Sequence, residues 1–479
     1  MHVIKRFEQA LVWNPAGWLA AFSTNADRQR RLTLIGVALL LQTFTELPHD
    51  IIGAVAGQYA GLVTMVALAA SLILLLYAVI APPRAAKRND AHLTRFVLIV
   101  GIVAASFGTM QIADAVYGSF TRVSYPNDGT TLSQNAAQLL LNGHDPYQDS
   151  SIVAALRRYQ QGGEFTTPVR TGRFAGRSWL DYPTAAELRA IFATAPDAPA
   201  SATPEMESHV SYPALSFLPL VPFVALGLPS VVLFTVLCLA VFAWFAWHAI
   251  APAHRPWLVL LLLADVPMLE GVAIGESDIL LMVLVFLMWL WWKNPTWSTV
   301  ALGLALATKQ QAWFFAAFFL IFLIQRVGWR EALTRFAAAG AIFLAINAPF
   351  LLHDAHAWFA GIAAPFADPM WPLGNGLIQL ARTHLLPLWP QRVYTVMMLL
   401  VLGACLLWYA RVGARRYPVT ALLLAMLPLW FNWRSLSTYF FFSALPMLVL
   451  WLAWQRNASH DSGRLAASIA QPALAEDTV

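Results

Sequence analysis

Apolar runs long enough to cross a membrane recur along this chain, from Leu32 to Trp454. The hydrocarbon core of a bilayer is about 30 Å thick, so a helix needs about 20 apolar residues to span it. Hydrophobic residues make up 59% of the 479 residues and charged residues only 11%, whereas soluble domains carry about 25% charged residues. The sequence therefore predicts an all-α, multi-spanning membrane protein with about 12 transmembrane helices, one for each run of sufficient length.

These runs divide the chain into three segments. Residues 1–31 combine charged residues with tryptophans and are expected to form a cytoplasmic or interfacial N-terminal segment. Residues 32–454 form the membrane domain, and residues 455–479 are polar and rich in Ala, which predicts a disordered cytoplasmic tail. Cys238 and Cys405 lie inside apolar runs, so neither a disulfide nor a metal site is expected from them.

One hydrophilic stretch, residues 116–211, interrupts the apolar runs, and a connection of this length is usually a functional element. Cytoplasmic loops are enriched in Lys and Arg, which accounts for the net charge of +5 without a nucleic-acid surface. Basic clusters lie near residues 28–31, 84–95, 326–335 and 411–416. If these clusters are cytoplasmic, the extracytoplasmic segments are residues 116–211, 274–278 and 352–390.

Two threadings of residues 212–325 are consistent with this sidedness. In the first, residues 212–228 cross the membrane fully and residues 297–325 form one long helix. In the second, the proline-broken run 212–228 dips into the membrane and returns, and 297–325 breaks into two short helices at Lys309. The second threading is preferred because it leaves more basic residues in the cytoplasm.

Few charged residues are expected at membrane depth, and they are Asp265, Glu270, Glu276, Asp278 and Lys309. A charge at membrane depth costs about 2.5–3.5 kcal/mol on insertion scales, so the charges that occur there usually have a role. Lys309 has two explanations: an ion pair with Glu276 or Asp278, or a cation that receives a lipid phosphate. For the string from Gly275 to Asp278, an ordinary polar turn between two apolar runs is as good an explanation as a functional role.

The hydrophilic stretch holds a second group of candidates around a predicted helix at 131–142. Asp128 precedes this helix, where capping and the helix dipole alone would favour it. An ionised carboxylate at a membrane boundary could also accept a proton from a sugar hydroxyl. After the helix, Asp145 and Tyr147 flank Pro146 in a string that is typical of a turn.

Two further strings carry polar groups near predicted membrane boundaries. His353, Asp354 and His356 have the composition of a metal cluster but lack a supporting ligand in the sequence, so no metal or other cofactor is expected, although a divalent metal is compatible with the chain. Arg434 is explained either as a cation that reaches the interface or as a phosphate contact.

In their order and spacing, these strings resemble the C-type superfamily of membrane glycosyltransferases, and in particular the bacterial polyprenol-phosphate-mannose-dependent mannosyltransferases and their uncharacterised relatives. The resemblance runs from about residue 95 to 454. The residues that carry it are Asp128, Gly143, Asp145, Pro146, Tyr147, Tyr212, Pro213, Gly275, Glu276, Asp278 and the string from Leu304 or Leu306 to Gln310.

The resemblance implies a glycosyltransferase of the bacterial inner (plasma) membrane with an extracytoplasmic active site. Its donor would be a lipid-linked sugar on polyprenyl phosphate, and its acceptor a glycan, lipid or protein in the cell envelope. Asp128 would be the catalytic base. The substrate-binding residues would be Lys309, Gln310, Glu276, Asp278, Tyr147, Tyr212 and Arg434.

The chain departs from the family pattern after Asp128, where the family has an apolar or aromatic residue and this chain has Gly129. Two other functions account for parts of the sequence. A secondary transporter would suit broken helices with buried charge, but residues 95–325 and 326–454 show no internal repeat. A lipid-modifying enzyme of another class would need a nucleophile centre that the sequence does not display.

Overall fold

The structure is a computed structural model that describes residues 22, 25–46, 59–83, 88–123, 125, 127–196 and 203–456. Most of the expected N-terminal segment 1–31 lies outside the described residues. The expected disordered tail also lies outside them from residue 457 onward.

The described chain is mainly helical, which confirms the predicted class. The first helices are α1 (Ala26–Thr45), α2 (Ala60–Ile80), α3 (Arg88–Thr121), α4 (Asp128–Leu141), α5 (Pro146–Asp149), α6 (Ile152–Arg158) and α7 (Ala185–Thr194). The next are α8 (Val221–Ala225), α9 (Val232–Ala249), α10 (Arg255–Ala264), α11 (Val266–Ala273), α12 (Asp278–Leu290), α13 (Pro295–Leu306), α14 (Gln311–Val327), α15 (Trp329–His353) and α16 (Ala355–Ala367). The last are α17 (Ile378–Arg382), α18 (Gln391–Trp408), α19 (Ala414–Arg416), α20 (Ala421–Leu424) and α21 (Thr438–Phe441).

Shorter elements connect these helices. The 3₁₀ turns are Gly163–Phe165, Gly172–Phe174, Ala214–Ser216, Leu218–Leu220, Pro252–His254, Pro418–Thr420 and Leu427–Phe431, and a π-helical turn spans Tyr409–Gly413. The strands β1 (Leu373–Gly374) and β2 (Arg434–Ser435) pair in parallel, with Leu373 opposite Arg434.

Within the described residues, six helical segments are long and apolar enough to cross a membrane. They are Ala60–Ile80, Asp90–Thr121, Val232–Ala249, Trp329–His353, Gln391–Arg416 and Thr438–Arg456, and a seventh arises if the pair Pro252–Ala264 and Val266–Ala273, bent by 60°, counts as one span. These apolar helices support a multi-pass membrane protein, but the expected number of about 12 spans is not confirmed.

The difference arises because several apolar runs fold into helices that are too short to span a bilayer alone. Helix α12 has 13 residues, which at 1.5 Å per residue is about 20 Å. All but two of its residues are buried, so its apolar character reflects burial inside the protein. By contrast, α3 exposes an apolar stripe that includes Ile99, Val103 and Met110, each at least 66% exposed, as expected for a helix that faces lipid.

The broken run that begins at residue 212 packs against a break between α13 and α14. Helix α13 ends at Leu306 and α14 begins at Gln311, so the expected break at Lys309 is present. The amide of Leu215 donates to the carbonyl of Ala307 at 2.9 Å. The segment after residue 212 forms only short turns and the five-residue helix α8, which agrees with the preferred threading.

The segment around α4–α7 has a small apolar core of its own, built from Leu132, Ile152, Val153, Leu156, Phe174, Leu188, Ile191, Met206 and Trp371. Trp371 comes from the segment after α16, and Val169 forms an isolated bridge with Met370. The predicted loops 116–211 and 352–390 are therefore packed together, and β2 joins them through β1.

The sidedness of this packed layer is a testable prediction. We expect Arg189→Cys in α7 to react with a membrane-impermeant maleimide in intact spheroplasts, whereas Arg415→Cys in α19 should react only after permeabilisation. Both arginines are exposed, and the native Cys238 and Cys405 are buried, so background labelling should be low. The opposite labelling pattern would contradict the extracytoplasmic placement.

Candidate functional site

Asp128 lies at the N-terminal end of α4 without being its cap. The cap is Asn127, whose side chain accepts a hydrogen bond from the Thr130 amide at 2.8 Å. Capping therefore does not explain Asp128. Its Oδ2 instead accepts a hydrogen bond from the Thr167 amide at 2.8 Å, and the half-buried side chain lines a cleft.

Three clefts adjoin one another through shared lining residues, and Asp128 lines the first of them. The polar cleft has a volume of about 650 Å³, and its lining includes Asp128, Thr167, Glu207, His209, Tyr212, Arg434 and Tyr439. The middle cleft, about 580 Å³, shares Tyr212, Arg434 and Tyr439 and adds Gln310, Gln311, Phe314, Phe366 and Asn432. The apolar cleft encloses about 370 Å³, including open solvent, and shares Gln311 and Tyr439 with the middle cleft. Asp278 is the charged residue on its lining, which otherwise includes Leu281, Met282, Val285, Phe315 and Phe442. Polarity thus falls from the Asp128 end to the Phe315 end.

Arg434 is the basic side chain that lines both the polar and the middle cleft. Its position is set by the pairing of β2 with β1. The guanidinium Nη1 is buried and has no hydrogen-bond acceptor among the described residues. A buried donor without an acceptor costs about 1–3 kcal/mol, and an anion that accepted from Nη1 would offset this cost.

Lys309 and Asp278 form a buried ion pair. The Lys309 Nζ lies 2.5 Å from Asp278 Oδ2, and the residues are 4% and 6% exposed. Among the described residues, this is the ion pair that Lys309 forms, so Asp278 rather than Glu276 is its partner. The ammonium also lies 4.4 Å from the centre of the Tyr212 ring.

Lys309 does not itself line any of the three clefts, whereas Tyr212 lines two of them. A phosphate in the polar cleft would therefore meet Arg434 directly, and Lys309 would act through or beside the Tyr212 ring. The sequence alone cannot show that Arg434 rather than Lys309 lines the polar cleft, because this depends on how the break between α13 and α14 packs against Tyr212.

The turn that carries Glu276 lies against the start of α4. Gly275 has a positive φ of 81°, and a Cβ there would come within 2.7 Å of the Thr130 side chain. Glycine is therefore needed at this contact for both its conformation and its size. Glu276 is half-buried, and its Oε2 has no hydrogen-bond partner in the part of the chain that the structure describes.

Two of the predicted substrate-binding residues, Gln310 and Tyr147, form hydrogen bonds with backbone carbonyls of the protein. Gln310 donates from its side chain to the carbonyls of Ser211 and Ile362, at 2.6 and 3.1 Å. Tyr147 is 4% exposed, and its hydroxyl donates to the Tyr212 carbonyl at 2.8 Å. Gln310 still lines the middle cleft, whereas Tyr147 lines none of the three and holds the Tyr212 backbone in place.

One group of candidate functional residues was not predicted from the sequence. Glu207 and His209 line the polar cleft beside Asp128, and Asp368, from the end of α16, approaches them. His209 Nδ1 lies 2.7 Å from Glu207 Oε1 and 3.4 Å from Asp368 Oδ2. Glu207 and His209 lie two residues apart in the chain, but nothing in the sequence links them to Asp368.

The electrostatics of this group follow from its burial and contacts. Hydrogen bonds to Asp368 and Glu207 raise the pKa of His209 to about 10. Burial raises the pKa of Glu207 above its usual range. The pKa of Asp368 is lowered, because hydrogen bonds with His209 and Glu207 outweigh the opposing effect of burial.

The predicted candidate metal string at His353–His356 does not converge on a metal site within the described chain. Asp354 caps α16 by accepting a hydrogen bond from the Ala357 amide at 2.9 Å. The group whose potential ligand atoms do converge is Glu207, His209 and Asp368.

Residues 211–432 match the sequence model of glycosyltransferase family 87. The match covers just under half of the chain; it includes Asp278 and Lys309 and leaves Asp128 and Arg434 outside. No curated protein and no solved structure gave a significant match. A specific likeness to the polyprenol-phosphate-mannose-dependent mannosyltransferases is therefore not confirmed. The family match and the apolar helices together support a membrane glycosyltransferase.

Proposed function

We propose that this protein transfers a sugar from a polyprenyl-phosphate donor to a cell-envelope acceptor at the extracytoplasmic face of the bacterial inner membrane. The observation that carries the proposal is that Asp128 and Arg434 line one cleft, and that Arg434 Nη1 has no acceptor among the described residues. A base and an anion-binding group side by side are what a glycosyl transfer with a phosphate leaving group requires.

The gradient along the three clefts matches an amphiphilic donor. A sugar phosphate is polar and charged, and a polyprenyl chain is apolar. The polar cleft would hold the sugar and phosphate, and the apolar cleft near Leu281 and Phe315 would hold the first isoprene units. The middle cleft, with Arg434 and Phe314 on its lining, would join the two.

In this proposal, Asp128 accepts the proton of an acceptor hydroxyl as its oxygen attacks the anomeric carbon of the donor. The bond between that carbon and the phosphate oxygen breaks, and polyprenyl phosphate leaves with the bonding electron pair. Arg434 stabilises the charge that develops on the phosphate, supported by Lys309 behind Tyr212. A single displacement inverts the anomeric configuration and leaves no sugar bound to the enzyme.

Incubation with a panel of donors tests this function. The purified protein, in lipid nanodiscs, is mixed with polyprenyl-phosphate hexoses and pentoses, and released polyprenyl phosphate is followed by mass spectrometry. We expect release with at least one donor, and release at least about 10²-fold slower with Asp128→Asn. Consumption of nucleotide sugars instead, or transport of a solute across proteoliposomes without any donor turnover, would contradict the proposal.

We further predict that Arg434→Gln weakens binding of the productive donor by about 10- to 150-fold, since hydrogen bonds to charged groups contribute about 1.5–3 kcal/mol. Arg434→Lys should recover part of this loss, because it retains the charge without the planar fork. Calorimetric titration of the donor checks both. The control is Arg392→Gln, because Arg392 is exposed and lies outside the three clefts. An equal loss of donor affinity in both Gln variants would contradict the phosphate role of Arg434.

A further inference from the structure

We infer that Glu207, His209 and Asp368 form a binding site for a divalent transition-metal ion beside the polar cleft. One potential ligand atom from each of the three side chains lies within 4.8 Å of the other two. This inference goes beyond the proposed glycosyl transfer, because the proposed mechanism assigns no step to these residues.

The first argument is a buried carboxylate oxygen without a partner. Glu207 is 5% exposed, and its Oε2 accepts no hydrogen bond from the residues that the structure describes. Both carboxylates converge on one imidazole nitrogen, and among the described residues no Lys or Arg forms an ion pair with either of them. The His209 amide also donates to Glu207 Oε1 at 2.7 Å, so the oxygen left without a donor is Oε2. A buried polar atom of this kind is costly unless a hydrogen bond or a cation satisfies it.

The second argument is the chemistry of the donor atoms. Two carboxylate oxygens and one imidazole nitrogen suit first-row transition metals, whereas Mg²⁺ and Ca²⁺ favour sites made of oxygen alone. Three protein ligands are typical of sites that keep a position open for water or substrate. Glu207 and His209 line the polar cleft, so an open position would be available to a ligand bound there.

The third argument links this cluster to Asp128. The Glu207 amide donates to the Thr167 carbonyl at 2.9 Å, and the Thr167 amide donates to Asp128 Oδ2 at 2.8 Å. A metal that holds Glu207 would therefore also hold the backbone on which the Asp128 carboxylate rests. The site would fix one wall of the cleft as well as offer a charged contact.

The test is metal binding without any donor present. Untagged protein in nanodiscs of zwitterionic lipid is stripped with EDTA, desalted and titrated with Co²⁺, which is followed by calorimetry and visible absorption. We expect one saturable site whose affinity falls at least about 10-fold in Glu207→Gln, His209→Gln and Asp368→Asn, because ligand atoms are lost. Co²⁺ should also raise the melting temperature of the wild type but not of these variants.

A matched control comes from a second histidine and carboxylate pair. His144 Nδ1 lies 3.3 Å from Asp149 Oδ2, and both side chains are exposed. We expect His144→Gln and Asp149→Asn to bind Co²⁺ as the wild type does. The inference is overturned if the wild type binds no Co²⁺, or if His209→Gln binds it as tightly as His144→Gln. Because no sugar donor is involved, this result does not depend on whether the proposed transfer reaction is correct.

Discussion

Asp128→Asn is expected to lower the rate of sugar transfer by about 10²–10⁴, the usual contribution of a positioned general base. The substitution removes the proton acceptor but keeps the shape of the side chain. The Asn side-chain oxygen can still accept the hydrogen bond from the Thr167 amide that Asp128 accepts now. The loss should therefore appear in kcat while the melting temperature and donor affinity stay close to the wild-type values.

Single-turnover measurements with saturating donor separate this loss of chemistry from a loss of binding. Asp149→Asn is a suitable control, since Asp149 is exposed and pairs with His144 outside the clefts; it should retain wild-type rates. If Asp128→Asn keeps activity within a few-fold of the wild type, the base lies elsewhere. Glu276 and Asp278 are then the next carboxylates to replace.

Lys309→Met is expected to have two effects of different origin. It leaves the Asp278 carboxylate buried without its partner, and breaking a buried ion pair costs about 3–5 kcal/mol of folding free energy. It also removes a positive charge from below Tyr212, close to the proposed phosphate position. We therefore expect both a lower melting temperature and a lower donor affinity.

A double-mutant series separates these effects. Lys309→Met with Asp278→Asn should recover much of the stability, because no uncompensated charge remains, but it should not recover donor affinity. Lys309→Met with Glu276→Gln should recover neither, because Glu276 is not the ion-pair partner. Lys309→Arg should fall between Met and the wild type in affinity, because the guanidinium is bulkier than the ammonium. Wild-type donor affinity in the Lys309 and Asp278 double variant would leave Lys309 a purely structural role.

The sequence was sufficient for those features that depend on local composition. Long apolar runs with few charges indicated a helical membrane protein, and six to seven helical segments of the described chain have that character. The interruption at Lys309 indicated a helix break, which is present between α13 and α14. Each of these properties is set by neighbouring residues, so a short window of sequence contains the information.

The number of membrane crossings could not be derived in this way. An apolar run reports that a segment avoids water, but it does not distinguish lipid from a protein interior. Helix α12 is apolar because other helices surround it, and α3 is apolar because one face points away from the protein. Only the packing of the whole chain separates these two cases.

For the candidate site, too, some features were evident from the sequence and others only from the tertiary structure. Lys309 and Arg434 were visible as isolated charges beside apolar runs, and Asp128 was visible as a carboxylate just before a predicted helix in the hydrophilic stretch. The choice of Asp278 over Glu276 as the partner of Lys309 was decided by the tertiary structure. So was the meeting of Asp368 with Glu207 and His209, since residues far apart in sequence come within ligand distance only when their helices and loops have packed.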